Sequence, residues 1–305
     1  MDPLIVLFGF GVGVLVATTG MGGGSLMTPL LILVFAVKPV VAIGTDLIYG
    51  AVTKTVGGWR HFRMGTVHMG TSLWLAVGSV PGAIMGVIAL DRLRSAYGGK
   101  GFDSLVLVLV AAALIVTATA VLVRSVLMRR VAERERVELS RADRVAAVIT
   151  GLVIGFVLAV TSAGSGSLIA VVLILWFQMK PRQVVGTDVF HAAILLWVAG
   201  LAHLFDGNVN LSLAGNILVG SLPGVWIGTH YSRRLPDDAL RPILGIVLLA
   251  SGLALLSKAG ASISPVIIIG APLSVAALAF TLHRARAGRA ASEHPPVLVA
   301  VREPS

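Results

Sequence analysis

Two long apolar runs, each interrupted by a cluster of small residues, dominate the pattern of this chain. They cover 3–37 and 145–179, and neither contains Asp, Glu, Lys or Arg. As one helix, either run would be roughly 50 Å long, against about 30 Å for the hydrocarbon core of a bilayer. Each run must therefore break or fold back. The small residues at 18–25 and 161–167 mark where this happens.

Shorter apolar segments follow each run and define the fold class. We predict them at 39–62, 70–90, 103–124, 181–204, 211–231, 240–257 and 263–282. The chain is 56% hydrophobic and 12% charged, which indicates an all-α polytopic membrane protein. Its net charge of +10 lies mostly in short connections, where it sets membrane orientation; we expect no nucleic-acid partner.

The two halves of the chain repeat each other. A shift of 142 residues aligns 9–93 with 151–235 without a gap, with 31 identities in 85 columns. Each copy is predicted to have a broken or re-entrant first helix pair followed by three transmembrane helices. The predicted units are a first repeat, a charged linker, a second repeat, an additional transmembrane helix and a polar tail, at 1–124, 125–144, 145–257, 258–282 and 283–305.

The positive charges favour opposite orientations for the two copies. The stretch 124–144 has seven arginines and is expected on the cytoplasmic side. If each broken run returns to its starting side, 18 Lys and Arg residues fall on that side and 5 on the other. If each run crosses once, the division is 10 to 13. We therefore predict inverted repeats, with the linker and tail on the cytoplasmic side. The count leaves open a re-entrant hairpin or two full spans.

Glycines and hydroxyls at the two breaks suggest an anion site. A helix that restarts there offers unpaired backbone N–H groups and the positive end of its dipole. The predicted substrate-binding residues at the breaks are Thr18, Thr19, Gly22, Gly23, Gly24, Ser25, Thr161, Ser162, Gly164, Ser165, Gly166 and Ser167. The alternative is that the glycines permit close packing and the hydroxyls bond to backbone carbonyls.

Lys54 is the one lysine inside an apolar segment, and Leu196 takes its place in the second copy. A lysine at that depth usually faces a cavity or a partner, so we predict that Lys54 binds the anion; outward snorkelling is the alternative. Asp46, Asp188 and His191 are proton-coupling candidates, although both aspartates lie near helix starts and could be interfacial. We expect His203, near a helix end, to be interfacial.

Other kinds of site find little support in the sequence. No metal-ligand spacing occurs, there are no cysteines, and no glycine-rich loop resembles an ATP site. Ala163-Gly164-Ser165-Gly166 lacks the first glycine of a serine-hydrolase motif. We therefore predict no enzyme activity, no metal and no cofactor.

The chain resembles the TauE/SafE family of sulfite exporters, also called TSUP. The resemblance rests on the early glycine-rich break, Gly44-Thr45-Asp46, the loop 59–65 and the Gly-Ser-x-Pro-Gly helices at 78–82 and 220–224. It implies secondary transport of sulfite or organosulfonates across a bacterial cytoplasmic (inner) membrane, often outward. Asp46 and Asp188 stand here where the family more usually has an uncharged residue. Passive anion conduction, or transport of other small organic anions, is the alternative. The expected partners are the anion, protons and lipid; the oligomeric state stays open.

Overall fold

The computed structural model describes residues 2–19, 24–127, 138–164, 166–232 and 237–275. These residues are helical and contain no strand, as predicted. The helices are α1 (Pro3–Thr19), α2 (Gly24–Leu33), α3 (Pro39–Arg63), α4 (Met69–Leu127), α5 (Arg141–Thr161), α6 (Leu168–Leu175), α7 (Pro181–Phe205), α8 (Leu211–Ser232), α9 (Asp237–Lys258) and α10 (Pro265–Val275).

Four of these helices are long and apolar enough to cross a membrane. The spans are Met69–Leu122, Arg141–Thr161, Pro181–Phe205 and Leu211–Gly228. With the shorter apolar helices around them, they make the chain a multi-pass membrane protein. α10 lies within the predicted additional helix, and the rest of that helix and the tail 283–305 lie outside the described residues.

The connection predicted between the segments at 70–90 and 103–124 is itself helical. α4 runs through it and bends at Gly98, where φ is 62° and ψ is 166°. Such a conformation favours glycine because it lacks a Cβ atom. The sharp bend divides α4 into two arms, so no separate loop is needed.

The helices that follow the breaks are too short to be full spans. α2 has 10 residues and α6 has 8, which correspond to about 15 Å and about 12 Å. A bilayer core needs about 30 Å. The alternative of two full spans in 3–37 and 145–179 is therefore wrong, because the apolar residues are divided between one long and one short helix.

The second run returns to the end from which it starts. Trp176 follows α6, and its indole Nε1 donates a hydrogen bond of 3.1 Å to Oδ1 of Asp143. Asp143 lies in the first turn of α5, where it forms a capping box with Ser140. The start of α5 and the end of α6 therefore meet, as a re-entrant pair requires.

The first run also returns to its starting end. α1 runs parallel to α8, since Gly9 packs on Ile217 and Gly13 on Ser221. At the start of α8, the backbone N–H of Asn210 donates to Oγ1 of Thr45, near the start of α3, over 3.0 Å. The N-termini of α1 and α3 therefore lie at the same end of the helix bundle. The chain leaves this end along α1 and must return to it through α2 before α3 begins.

Contacts between the two halves are reciprocal. The bond from Asn210 to Thr45 has its counterpart, 142 positions away, in a 2.9 Å bond from the backbone N–H of His68 to Oγ1 of Thr187. Likewise Gly58 packs on Phe190, and Gly200 on Ile48. A two-fold operation generates contacts of this reciprocal kind.

Helices α3 and α7, which correspond in the repeat, cross in antiparallel directions. Gly44 packs against His203, Gly50 against Leu196 and Gly57 against Val189, so residue numbers rise along one helix as they fall along the other. The reciprocal contacts are therefore centred on an antiparallel helix pair.

Candidate functional site

At the second break, a short irregular segment joins the C-terminus of α5 to the N-terminus of α6, and its described residues are buried. Ser162 caps the C-terminus of α5 with a left-handed conformation of φ 57°, and its N–H bonds to the carbonyl of Leu158. Gly164 and Gly166 have φ values of 102° and 106°, which favour glycine. The chain thereby reverses its course within a few residues, and α6 begins at Leu168.

Asp46 links this break to α2 and α3. Its side chain is fully buried, and its Oδ2 atom accepts hydrogen bonds from Thr28 Oγ1 and Ser162 Oγ, each of 2.7 Å. Its Oδ1 atom is buried and accepts no hydrogen bond from the described residues. Asp46 is therefore not the interfacial residue that its position near a helix start allowed.

Lys54 lies two turns further along α3 and is 6% exposed. It interacts electrostatically with Asp188 of α7 and with Asp46. Outward snorkelling is therefore wrong, because the side chain faces the carboxylates of the protein interior. A positive charge is expensive to bury unless such partners compensate it.

His191 faces the first arm of α4. Its Nε2 atom lies 3.2 Å from Ser79 Oγ, and the ring is 1% exposed. In the first copy, Tyr49 takes the place of His191 and lies beside Ser221, the counterpart of Ser79. The Tyr49 hydroxyl has no hydrogen-bond partner among the described residues, and Ser221 donates to the carbonyl of Leu218, so the hydrogen bond of the second copy is not repeated in the first.

Ser167 is a buried donor at the start of α6. The residue is 2% exposed, its side chain does not cap the helix, and its Oγ atom has no partner among the described residues. Ser25, its counterpart in the first copy, is buried near the start of α2. Both serines therefore lie at or near the first turn of a helix that follows a break.

Two predicted site residues have other bonds. Thr161 Oγ1 donates to the carbonyl of Val157 over 2.7 Å, as in the alternative reading of the hydroxyls, and Ser162 donates to Asp46. Neither hydroxyl hydrogen is available to an anion in this arrangement.

Part of the first break lies outside the described residues. Gly22 and Gly23 belong to that part, as do the side chains of Thr18 and Thr19 at the end of α1. Ser165 of the second break also lies outside the described residues. Gly24 is described as the first residue of α2.

The structure adds contacts that the sequence did not indicate. Thr28 on α2 and Ser79 on α4 join the site through bonds that span 18 and 112 positions. Ser79 belonged to the repeated Gly-Ser-x-Pro-Gly motif, which is the one signal that pointed to it.

His203, expected to be interfacial, is fully buried and donates from Nε2 to the carbonyl of Ala159 over 2.8 Å. No cluster of three or more His, Cys, Asp or Glu side chains occurs within the described ranges.

The chain is similar to known membrane proteins over most of its length. The model of the family described as Sulfite exporter TauE/SafE matches residues 5–255. A protein of Bacillus subtilis strain 168 named "Probable membrane transporter protein YjnA" is 38% identical over 261 residues, covering 84% of this chain and all of its own.

More distant relatives extend over the same region. "Probable membrane transporter protein YdhB" of the same organism is 28% identical over 83% of this chain and 99% of its own. A "Probable membrane transporter protein" of Xylella fastidiosa strain Temecula1 is 26% identical over 86% of this chain and 98% of its own. No solved structure matches the chain.

Proposed function

Since the chain belongs to the TauE/SafE family of membrane transporters, we propose that it is a secondary transporter of small sulfur-containing anions. The family description names sulfite, and organosulfonates are chemically related anions that we include in the proposal. The anion binds between the breaks, and the protein exports it from the bacterial cytoplasm by alternating access.

Ser167 is the observation that carries this proposal. Its buried hydroxyl has no hydrogen-bond partner in the part of the chain that the structure describes, which is costly in a protein interior. The hydroxyl lies at the positive end of the α6 dipole. An oxyanion accepts a hydrogen bond from such a hydroxyl and gains from the dipole. Ser25, at the start of α2, is the corresponding donor on the other side.

Lys54 supplies the positive charge in this proposal. It is buried and already faces Asp188 and Asp46, so the three side chains together have a formal charge of −1. An anion added to them brings the total to −2 in a medium of low dielectric constant. Transport of the anion therefore requires a cation or a proton to bind with it.

The packing of the repeats supports alternating access. α3 and α7 are equivalent helices that cross in antiparallel directions, as expected for inverted repeats with a two-fold axis in the membrane plane. Rocking one repeat against the other would open the region around Asp46, Lys54 and Asp188 to each side in turn. The arginines of 124–144 support a cytoplasmic position for the linker in the inner membrane.

Ser167→Ala tests the proposed anion site. We expect sulfite flux into proteoliposomes to fall about tenfold at low substrate concentration, since a hydrogen bond to a charged group is worth about 1.5–3 kcal/mol. The measurement is the initial rate of labelled sulfite flux against concentration. The loss should appear mainly as a higher half-saturating concentration.

Thr117→Val is the matched control. Thr117 is also fully buried, and its Oγ1 atom has no partner among the described residues, but it lies in the second arm of α4. Its flux should stay within about twofold of the unsubstituted protein. Equal effects of the two substitutions, or a wild-type flux that never saturates, would count against a carrier with Ser167 in its site.

A further inference from the structure

Asp46 lies against the C-terminal end of α5. Ser162, whose hydroxyl donates to Asp46, is the residue that caps this helix. The last carbonyls of a helix lack intrahelical donors and form the negative end of its dipole. We propose that Asp46, Thr28, Ser162 and the end of α5 form a binding site for a sodium ion.

The oxygen atoms around Asp46 suit a small, hard cation. Each hydroxyl donates its single hydrogen to Oδ2 and keeps lone pairs for another ligand. Oδ1 is fully buried and accepts no hydrogen bond from the described residues. One carboxylate and two hydroxyls thus meet at one point, and oxygen ligands of this kind are the ones that hard cations prefer.

Electrostatics favours a positive ion at this point. The buried carboxylate of Asp46 lies beside the negative end of the α5 dipole, so two negative groups are close together. Lys54 interacts with Asp188 as well as with Asp46, so its single charge is shared by two carboxylates. One monovalent cation would bring these three side chains to neutrality before the anion arrives.

The site occurs in one copy of the repeat. The residues that correspond to Thr28 and Ser162 are Ala170 and Gly20, and neither has a hydroxyl group. Asp188, the counterpart of Asp46, faces Lys54 instead. The two hydroxyl groups that bond to Asp46 therefore have no equivalent at the corresponding positions of the other copy.

The arrangement favours sodium over a proton or a divalent ion. Thr28 and Ser162 both donate to the same carboxylate oxygen, an arrangement that fits the ionised form of Asp46 that a metal cation needs. Ca²⁺ takes six to eight oxygen ligands, with several carboxylates at tight sites, whereas Asp46 is the one carboxylate bonded to both hydroxyls. Half-helix C-termini and unwound carbonyls bind sodium in other transporters.

Sodium binding is tested by thermal unfolding of the purified full-length protein without any anionic substrate. NaCl replaces N-methylglucamine chloride at constant ionic strength over about a hundredfold range, with KCl in a parallel series. We expect the midpoint temperature Tm to rise with Na⁺ and not with K⁺. In Thr28→Val and Asp46→Asn, the Na⁺ concentration that gives half of the shift should rise about tenfold or more.

Thr117→Val is again the matched control, since it removes a buried hydroxyl that is not one of the two bonded to Asp46 and should keep the full Na⁺ response. If Asp46→Asn does not fold, the Na⁺ response of Thr28→Val becomes the test, because this substitution keeps the carboxylate of Asp46 and the shape of the replaced side chain. Direct binding of ²²Na⁺ should follow the same order of variants. No response to Na⁺, or equal responses to Na⁺ and K⁺, would overturn the site. Because no anion is present, this result is separate from the test of anion transport.

Discussion

Sulfite flux through Lys54→Leu is expected to fall about 100-fold or more. Lys54 is buried and faces Asp188 and Asp46, so its removal leaves two carboxylates and no positive charge where the anion should bind. Losing one member of a buried charge pair costs about 2–5 kcal/mol, and each 1.4 kcal/mol is about tenfold. Leucine is a natural choice, since Leu196 holds the corresponding position in the second copy. The measurement is the initial rate of labelled sulfite flux in proteoliposomes.

Lys38→Leu is the control for loss of a lysine from the same helix. Lys38 is exposed at the N-terminal cap of α3, so its replacement should leave flux within about twofold of the unsubstituted protein. Lys54→Arg should keep part of the flux, because it preserves the charge. Full transport by a monodisperse Lys54→Leu protein would show that the anion does not depend on this side chain.

A disulfide between α3 and α7 is expected to stop transport. A Cβ atom built on Gly58 lies 3.7 Å from Cβ of Ala193, within the range of about 3.5–4.5 Å that a disulfide needs. The chain has no cysteine of its own, so oxidation of Gly58→Cys with Ala193→Cys creates a single bond. If one repeat rocks against the other, this bond joins the moving parts. Flux should fall below about a tenth and return on reduction.

The single substitutions, oxidised in the same way, should transport at the rate of their reduced forms. Mass spectrometry of the intact chain would establish that the bond has formed. Full flux through the cross-linked protein would mean that α3 and α7 do not move apart during transport, and it would favour a fixed pathway through the membrane.

Much of the fold could be predicted because the chain contains two copies of one pattern. The breaks at 18–25 and 161–167, the helices after them and the return of each run depend on local residues and on charge counts. The short lengths of α2 and α6 were left open, because an apolar run does not show how its residues divide between two arms. The bend at Gly98 was missed, since a cluster of three glycines, at positions 98, 99 and 101, also fits a loop.

The candidate site could be predicted only in part. Asp46 and Lys54 stand out along one apolar helix, and both lie in the buried polar region. Their partners do not stand out, since the bond from Ser162 to Asp46 spans 116 positions. Thr28 looks like any other hydroxyl in a short apolar helix until the fold brings it to Asp46. Side-chain pairing between distant segments is a tertiary property that periodicity does not contain.

The opposite orientation of the two copies is the central claim, and the last residues of α3 and α7 test it most directly. Arg63 and Phe205 correspond in the repeat, both are exposed, and the second is 88% exposed. Arg63→Cys and Phe205→Cys, made singly in this cysteine-free chain, would be labelled in cells with a membrane-impermeant maleimide. The inverted arrangement predicts that Phe205→Cys reacts from outside intact cells and Arg63→Cys only after lysis. Labelling of both from the same side would contradict it.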